Sequence, residues 1–273
     1  MKSKLLSILS LLLVAVTQGA WALNGSGTLS NPYLITSVDD WNALASQTSY
    51  GAGKYYRLMD DISVTTPLNR NAVFKGTFDG NGHTITLTHT TTEKYDGLFP
   101  YIENLTVKNL HVAGTITTSN ECAGGISGYS TGNCYIQNCR VSVTINSTFE
   151  GDAWHSGFVA TVKGTGNVLF ISNCSFDGVF NGSSSYRWGG FIGWADDFSR
   201  GNIANSYFRP SGLTIALKDE KKSHPFMTVS GQCSFAKCLY SFYYAGGRAS
   251  AGAGALCLRA ESERHRSWRQ RKP

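Results

Sequence analysis

Ile136-Gln137-Asn138-Cys139-Arg140-Val141 is the stretch of sequence that decides the fold, because the chain repeats it with changes. The other copies keep an apolar residue, then Asn two positions later and a second apolar residue three positions after that: Val107–Val112, Ile171–Phe176, Ile203–Phe208 and, with Lys in place of Asn, Phe235–Tyr240. Their central residues, Asn109, Asn138, Asn173, Asn205 and Lys237, are 29, 35, 32 and 32 residues apart. A nearly constant period indicates repeated structural units.

A second, glycine-led element precedes each copy. Its four clear examples begin Gly97-Leu98-Phe99, Gly124-Gly125-Ile126, Gly157-Phe158-Val159 and Gly189-Gly190-Phe191, and a weaker Phe226-Met227-Thr228 precedes the fifth copy. Because two elements recur in the same order, we predict stacked units that are each too small to bury an apolar face alone. Gly125, Gly157 and Gly190 are therefore assigned structural repeat positions beside the Asn residues.

The composition of each unit favours short strands joined by tight turns. In the unit around Asn138 the expected strands are 125–129, 135–141 and 143–145. Three strands in about thirty residues fit one turn of a parallel β-helix, whereas a propeller blade needs about four strands in roughly forty residues. We therefore expect an all-β solenoid over residues 23–244. Its Asn residues should form a ladder of side-chain amides along the axis, and Lys237 should end that ladder.

One short helix is expected before the first coil, over residues 38–47. Ser37 suits the N-cap position, and Trp41 and Leu44 fall on one face of the helix. A stack of coils needs its open end covered, because unpaired strand edges and a bare core promote aggregation. This helix is predicted to cover the first coil.

Residues 1–22 have the three parts of a secretory signal peptide. Lys2 and Lys4 precede an apolar run over residues 5–16, and small residues end at Ala22, after which we expect cleavage. The run is too short to span a bilayer comfortably. The mature chain is predicted to have no transmembrane segment and to be exported, to the periplasm, the cell surface or the extracellular medium.

The net positive charge of the chain comes from its two ends. The net charge is +6, of which residues 1–22 contribute +2 and residues 245–273 contribute +5, so residues 23–244 carry −1. Binding of nucleic acid is therefore not expected. Residues 245–273 are first rich in Ala and Gly and then in Arg, and we expect either a disordered basic tail or a reading frame that shifts near Gly247.

Seven cysteines are present, and none lies in a C-x-x-C pair. Cys139, Cys174 and Cys238 occupy the same repeat position, where stacked strands place parallel Cβ atoms too far apart for a disulfide. We expect a buried column of free thiols there, with Cys122 and Cys134 left as the alternative pair if a disulfide forms. Zinc-like ligand spacing is missing, so neither a metal nor a cofactor is predicted.

The repeats resemble the GLUG motif of bacterial surface proteins. The resemblance rests on the two elements in their fixed order, as in Gly189–Gly193 and Ile171–Phe176, and on 74–85, which looks like the first coil of such proteins from Bacteroides-type gut bacteria. It covers about residues 25–244. It implies a right-handed parallel β-helix on an exported protein, in the company of adhesins and surface proteases, and it brings no catalytic residues.

An enzyme on the same scaffold is the first alternative. A glycosidase needs two carboxyl groups at a set separation. The candidates are Asp60-Asp61, Asp152, Asp177 and Asp196-Asp197, and no paired set recurs on neighbouring coils. No carboxylate cluster suited to a calcium-dependent lyase is present either. We therefore predict no catalytic residues.

Aromatic and charged residues in two equivalent loops are the best candidates for binding. Asp152, Trp154 and His155 share one loop, and Tyr186, Arg187 and Trp188 occupy the same loop one unit later. They could form a strip that binds a sugar or a protein, or they could fill the corner beside the glycines.

The predicted function is a non-enzymatic adhesion or binding module whose partner is a host or microbial glycan or a surface protein. Two alternatives stay open: a polysaccharide lyase or glycoside hydrolase, and an accessory region truncated from a larger surface peptidase or adhesin.

Overall fold

The chain folds as a parallel β-solenoid of about five turns. The computed structural model describes residues 23–182, 187–196, 198–213, 225–227, 232–243 and 249–252. Residues 1–22 and most of the predicted tail lie outside the described residues. All-β architecture with parallel stacking confirms the fold class expected from the repeats.

Two large sheets run along the axis, with strands numbered in chain order. The first sheet has eleven strands: β1 (Tyr33–Ile35), β2 (Tyr55–Leu58), β4 (Phe74–Asp79), β6 (Phe99–Lys108), β8 (Ser127–Thr131), β9 (Asn133–Gln137), β12 (Val159–Val162), β13 (Val168–Ser172), β17 (Ile192–Ala195), β18 (Arg200–Ala204) and β21 (Gln232–Ala236). The second has ten: β3 (Ile62–Val64), β5 (Thr84–Thr91), β7 (His111–Thr118), β10 (Arg140–Ser147), β14 (Ser175–Phe176), β15 (Val179–Gly182), β19 (Tyr207–Phe208), β20 (Gly212–Leu213), β22 (Leu239–Tyr243) and β23 (Ala249–Gly252). A small third sheet pairs β11 (Trp154–Ser156) with β16 (Arg187–Gly189).

The stacking register follows the repeat in the sequence. Ile136 of β9 lies beside Ile171 of β13, which lies beside Ile203 of β18. In the second sheet, Val141 of β10 lies beside Phe176 of β14. These apolar residues point inward and are buried, so one residue per coil builds each column of the core.

The repeated motif is two strands rather than one. The expected strand over 135–141 is interrupted at Asn138, where β9 ends at Gln137 and β10 begins at Arg140. The physical reason is the backbone of Asn138, whose φ of 53° lies in the left-handed region and turns the chain through a corner. Apolar periodicity did not show this turn because the flanking apolar residues point inward on both sides of it.

Helix α1 (Val38–Ala45) begins at the predicted N-cap and covers the first coil. The Ser37 side chain accepts a hydrogen bond from the Asp40 amide at 3.2 Å. Trp41 is fully buried, and its ring lies 6.3 Å from Phe78 and 6.2 Å from Phe99. The predicted capping helix is thus confirmed, ending two residues earlier than expected. In the part of the chain that the structure describes, no helix is both long enough and apolar enough to cross a membrane.

The tail departs from the sequence interpretation in one short segment. Ala249–Gly252 forms β23, which pairs antiparallel with β22, although no strand was expected beyond residue 244. Small residues pair readily with an open strand edge, because they offer backbone hydrogen bonds without bulk.

Candidate binding site

The corner of each coil is held by a ladder of side-chain amides. Asn138 Nδ2 donates to Asn109 Oδ1 at 3.2 Å, and Asn173 Nδ2 donates to Asn138 Oδ1 at 3.2 Å. Asp79 begins the ladder by accepting from Asn109 Nδ2 at 3.0 Å. Asn205, the next member of the column, shares the left-handed backbone with φ of 47°. The predicted ladder is therefore confirmed over Asn109, Asn138 and Asn173.

Lys237 occupies the fifth corner with the same backbone, at φ of 51°. A lysine side chain has no acceptor with which to continue an amide ladder. The corner geometry therefore extends one coil further than the amide ladder can.

The repeated glycines lie where the backbones of successive coils approach most closely. The Gly125 amide donates to the Gly157 carbonyl at 3.1 Å, and the Gly157 amide donates to the Gly190 carbonyl at 3.1 Å. A Cβ atom on Gly157 would collide with the Gly190 oxygen and with the Phe176 ring. The structural role assigned to these glycines is confirmed.

The thiols at the repeat position are buried and unpaired. Cys139, Cys174 and Cys238 are all free, and the Cys139 amide donates to Cys174 Sγ at 3.4 Å. Ser206 takes the position between the last two and accepts from the Cys174 amide at 3.2 Å. Burial raises the pKa of the Cys174 thiol, which disfavours its nucleophilic thiolate form.

Cys122 and Cys134, the alternative pair considered for a disulfide, are also free and buried. Burial raises the pKa of Cys122 to about 11.

Only part of the predicted binding loop reaches the surface. Asp152 is exposed and Trp154 is half-buried, whereas His155 is fully buried and Trp188 is 2% exposed. The inclusion of His155 and Trp188 in an exposed strip is therefore wrong. Successive side chains of a strand point to opposite faces, so Trp154 faces outward and His155 faces inward.

His155 and Trp188 instead fill the interior beside the repeated glycines. They are partners in the register of β11 and β16, with ring centroids 4.7 Å apart. His155 Nε2 lies 2.8 Å from Ser147 Oγ, and burial lowers the pKa of His155 to about 3. The structure describes the backbone of Arg187 in β16, and Tyr186 lies outside the described residues.

The sequence analysis named only one member, Trp154, of a surface column of five aromatic residues. We call it the aromatic strip, and it consists of Tyr95, Tyr101, Tyr129, Trp154 and Trp194, all half-buried. Tyr95 lies 5.8 Å from Tyr101 and 4.9 Å from Tyr129 between ring centroids, and Trp154 stacks on Trp194 at 5.3 Å. Tyr101, Tyr129 and Trp194 lie on β6, β8 and β17, while Trp154 lies on β11 and Tyr95 in the loop before β6.

A constant offset in the sequence could have revealed this column. Tyr101, Tyr129, Thr161 and Trp194 each lie four residues after a repeated glycine, at Gly97, Gly125, Gly157 and Gly190. They are mutual neighbours in the register of the four strands. Thr161 is small and fully buried at this position. In its coil the aromatic ring of the strip comes from Trp154 on the neighbouring β11.

Lys94 joins the two halves of the aromatic strip. Its ammonium lies 5.0 Å from the centre of the Tyr95 ring and 5.5 Å from that of Trp154, and it forms an ion pair with Glu121. A cation between two aromatic faces is held by their negative electrostatic potential. Lys94 therefore connects loops from three coils.

Lys163 lies at the other end of the aromatic strip, with its ammonium 5.2 Å from the centre of the Trp194 ring. It has no ion-pair partner in the described part of the chain. The nearby Asp196 carboxylate accepts the amides of Gly164 at 2.8 Å and Phe198 at 3.2 Å. Burial alone would raise the pKa of Asp196, but these hydrogen bonds hold it below its ordinary value.

A buried charge fixes the loop that carries Tyr95. Asp96 is fully buried and contacts Arg70 at 3.1 Å and His89 at 3.3 Å, while its other oxygen accepts the Gly97 amide at 2.6 Å. Burial alone would raise the pKa of Asp96, but its hydrogen bonds, that from His89 first, keep it below the usual value. Tyr95 itself has φ of 60°, which is rare for a bulky side chain and persists only when the surroundings impose it.

Three of the carboxylates considered for catalysis, Asp61, Asp177 and Asp196, have structural roles at different places in the fold. Asp177 forms an ion pair with Arg140 at 2.5 Å, and the Asp61 carboxylate accepts the Thr84 amide at 2.8 Å. Asp196 holds the turn described above, and Asp197 lies outside the described residues. Among the described residues, no three His, Cys, Asp or Glu side chains are grouped so that they could hold a metal ion.

Comparison with known proteins adds one structural relative. No family model matches the chain, and neither does any curated protein. The chain is similar to the crystal structure of a putative immunoglobulin A1 protease from Bacteroides ovatus, with a TM-score of 0.56 and 19% sequence identity over 86% of this chain and 83% of that one. At this identity, the similarity shows a shared fold.

Proposed function

We propose that this chain is an exported, non-enzymatic β-solenoid module of the GLUG-repeat type, which binds a glycan or a surface protein through the aromatic strip. The solenoid supplies a rigid support, because the amide ladder and the close glycine contacts join its central coils. Binding residues on such a support keep their spacing without a ligand, which lowers the entropic cost of association.

The observation that carries this proposal is the aromatic strip itself. Five large rings remain half-exposed on one flank, although the same fold buries aromatic rings such as Phe158 and Phe191 completely elsewhere. Contiguous exposed apolar surface bordered by polar groups is characteristic of interaction sites. Aromatic side chains also contribute a large share of binding energy at such sites.

Binding to a glycan array and to extracellular-matrix proteins tests the proposal with the mature chain. Trp194→Ala and Tyr129→Ala should each weaken binding at least about tenfold, since truncating an anchor residue costs roughly 1.4 kcal/mol or more. Tyr135→Ala is the matched control, because Tyr135 is 37% exposed and lies on β9, outside the aromatic strip. Equal losses for Tyr135→Ala and Trp194→Ala would contradict the assignment.

Export is tested separately. The signal segment predicts a mature N-terminus at Leu23, which mass spectrometry of the secreted or periplasmic protein would identify. Retention of Met1 or of residues 1–22 on protein recovered from the cytoplasm would reject the proposed localisation.

A second candidate is an accessory region of a larger surface peptidase. The fold shared with the Bacteroides ovatus protein favours it, because that protein is described as a putative protease. An assay on immunoglobulin A and on acidic and neutral polysaccharides distinguishes binding from turnover. Turnover that disappears on Asp152→Ala or Asp196→Ala would replace the binding module with an enzyme.

A further inference from the structure

We infer that the aromatic strip takes an extended acidic oligosaccharide that lies along the solenoid axis, with an acid group of the sugar paired to Lys163. This inference rests on the proposed function and specifies its ligand class. Three features of the described residues support it: the spacing of the rings, the difference between the two ends of the strip, and the position of the Lys163 ammonium.

The rings are spaced as the sugars of an extended chain are. Successive coils are separated by about 4.8 Å, the distance between neighbouring strands. Neighbouring rings of the strip follow this repeat, at 4.9 Å for Tyr95 and Tyr129, 5.7 Å for Tyr101 and Tyr129, and 5.3 Å for Trp154 and Trp194. One pyranose residue of an extended chain covers a similar length, so about one sugar falls on each coil.

The tyrosine end offers the outer edges of its rings to a sugar. Tyr95 packs edge-to-face with Tyr101 and Tyr129, at interplanar angles of 70° and 64°, so part of the ring faces is covered within the cluster. Their phenol groups add hydrogen-bonding atoms, and burial raises the pKa of Tyr95 to about 12, which keeps its hydroxyl protonated as a donor.

The tryptophan end offers a cation instead. Trp154 and Trp194 are nearly parallel, with 23° between their planes, and Lys163 lies over Trp194. An ammonium held against an indole is positioned to donate hydrogen bonds to a carboxylate or sulfate while the indole edge contacts the sugar.

The charges along the strip give the ligand a direction. Lys94 is compensated by Glu121, and Glu93 near the tyrosine end is 64% exposed and 3.8 Å from Arg70. An acid group would be repelled by Glu93 and attracted by Lys163, which forms no ion pair among the described residues. The nearby Asp196 carboxylate is turned towards the amides of Gly164 and Phe198, which it accepts at 2.8 and 3.2 Å. The acidic sugar therefore belongs at the tryptophan end.

Isothermal titration of the mature chain with tetrasaccharides of galacturonate, mannuronate and hyaluronate tests the inference. At least one should bind about tenfold more tightly than its fully methyl-esterified form, which has the same chain without the charge. Lys163→Met should remove this preference and leave the weaker binding of the ester, whereas Trp194→Ala should weaken both. Lys75→Met is the control, since Lys75 is a comparably exposed lysine on β4, paired with Glu103.

Added salt gives an independent measurement that needs no variant. Raising NaCl to about 0.5 M should reduce the acid preference of the wild-type chain, because salt screens exposed charge pairs. Thermal unfolding of each variant shows whether a loss of binding comes from a loss of fold.

The outcomes separate this inference from the proposed function. Equal binding of acid and ester, or an unchanged preference in Lys163→Met, would overturn the acidic ligand and leave the binding module intact. Binding only to a protein through the strip would also overturn it. If no glycan and no protein bound at the strip, both proposals would fail.

Discussion

The corner of the solenoid and its aromatic flank both use one residue per coil, but in different ways. At the corner the same residue returns, as in Asn109, Asn138 and Asn173, and each side chain bonds to its copy. On the flank the equivalent position changes from Tyr101 to Tyr129 to Thr161 to Trp194. A residue type that repeats at one position stabilises the stack of coils. A position whose residue type changes from coil to coil is available for recognition.

The largest expected effect comes from a substitution that disturbs a close contact between coils. Gly157→Val should cost about 4 kcal/mol of unfolding free energy or prevent folding, because its side chain would meet the Gly190 carbonyl and the Phe176 ring. Chemical denaturation measures the loss. Gly51→Ala is the control, since a Cβ there meets only the flexible Lys54 side chain, and it should change stability by less than about 1 kcal/mol.

The corner itself is tested at Asn138. Asn138→Ala should destabilise the fold by about 2–3 kcal/mol, since it removes amide hydrogen bonds on both sides and forces Ala to adopt φ of 53°. Asn138→Gly keeps the backbone free to turn, so it should lose only about 1 kcal/mol. Equal losses for the two variants would show that the ladder contributes everything and the backbone nothing.

Lowering the pH should reduce the free energy of unfolding through His155, which is buried behind the aromatic strip. Its pKa is about 3 in the folded chain, against an ordinary value near 6.5, so between these pH values the unfolded chain binds a proton that the folded chain does not. Stability is therefore complete above about pH 7 and decreases as the pH falls towards 3, with a loss of about 2 kcal/mol at pH 5. His155→Phe should flatten the pH dependence of the unfolding free energy between pH 7 and 5. The same slope in both proteins would contradict the buried neutral imidazole.

The smallest expected effect is at Lys94 on the flank. Lys94→Met removes one cation that lies between Tyr95 and Trp154, and it should reduce the unfolding free energy by about 0.5–1 kcal/mol. A thermal melt beside Lys75→Met, an exposed ion pair worth about 0.5 kcal/mol or less, measures the difference. A larger loss than at Asn138 would mean that the flank, not the corner, holds the coils together.

Sequence reasoning was sufficient where side chains repeat. The period, the inward apolar columns, the Asn ladder and the free thiols of Cys139 and Cys174 all follow from equal residues at equal positions. Helix α1 could be located from Ser37, because an N-cap side chain satisfies an amide that nothing else in the first turn can.

The aromatic strip was harder to predict because two of its features depend on local backbone direction. His155 and Trp188 looked like their neighbour Trp154, but the strand alternation that β11 and β16 adopt turns them inward. Tyr95 lies in a loop whose left-handed backbone is imposed by the buried Asp96. Asp96 contacts Arg70, which is distant in the sequence, so no local pattern shows this interaction. Tyr129 and Trp194 could have been found from their constant offset to the glycines.

The buried sulfhydryl column also determines what happens when the protein opens. Cys139 and Cys174 are free and buried in the packed coils, where parallel strands about 4.8 Å apart do not bring their Cβ atoms to the roughly 3.8 Å that a disulfide prefers. In an oxidising medium, a chain that unfolds can form cross-links that the native stack cannot accommodate, so unfolding becomes a one-way event. The lifetime of the folded chain in such a medium therefore depends on how rarely the coils separate, and the yield of refolding with and without a reductant would show it.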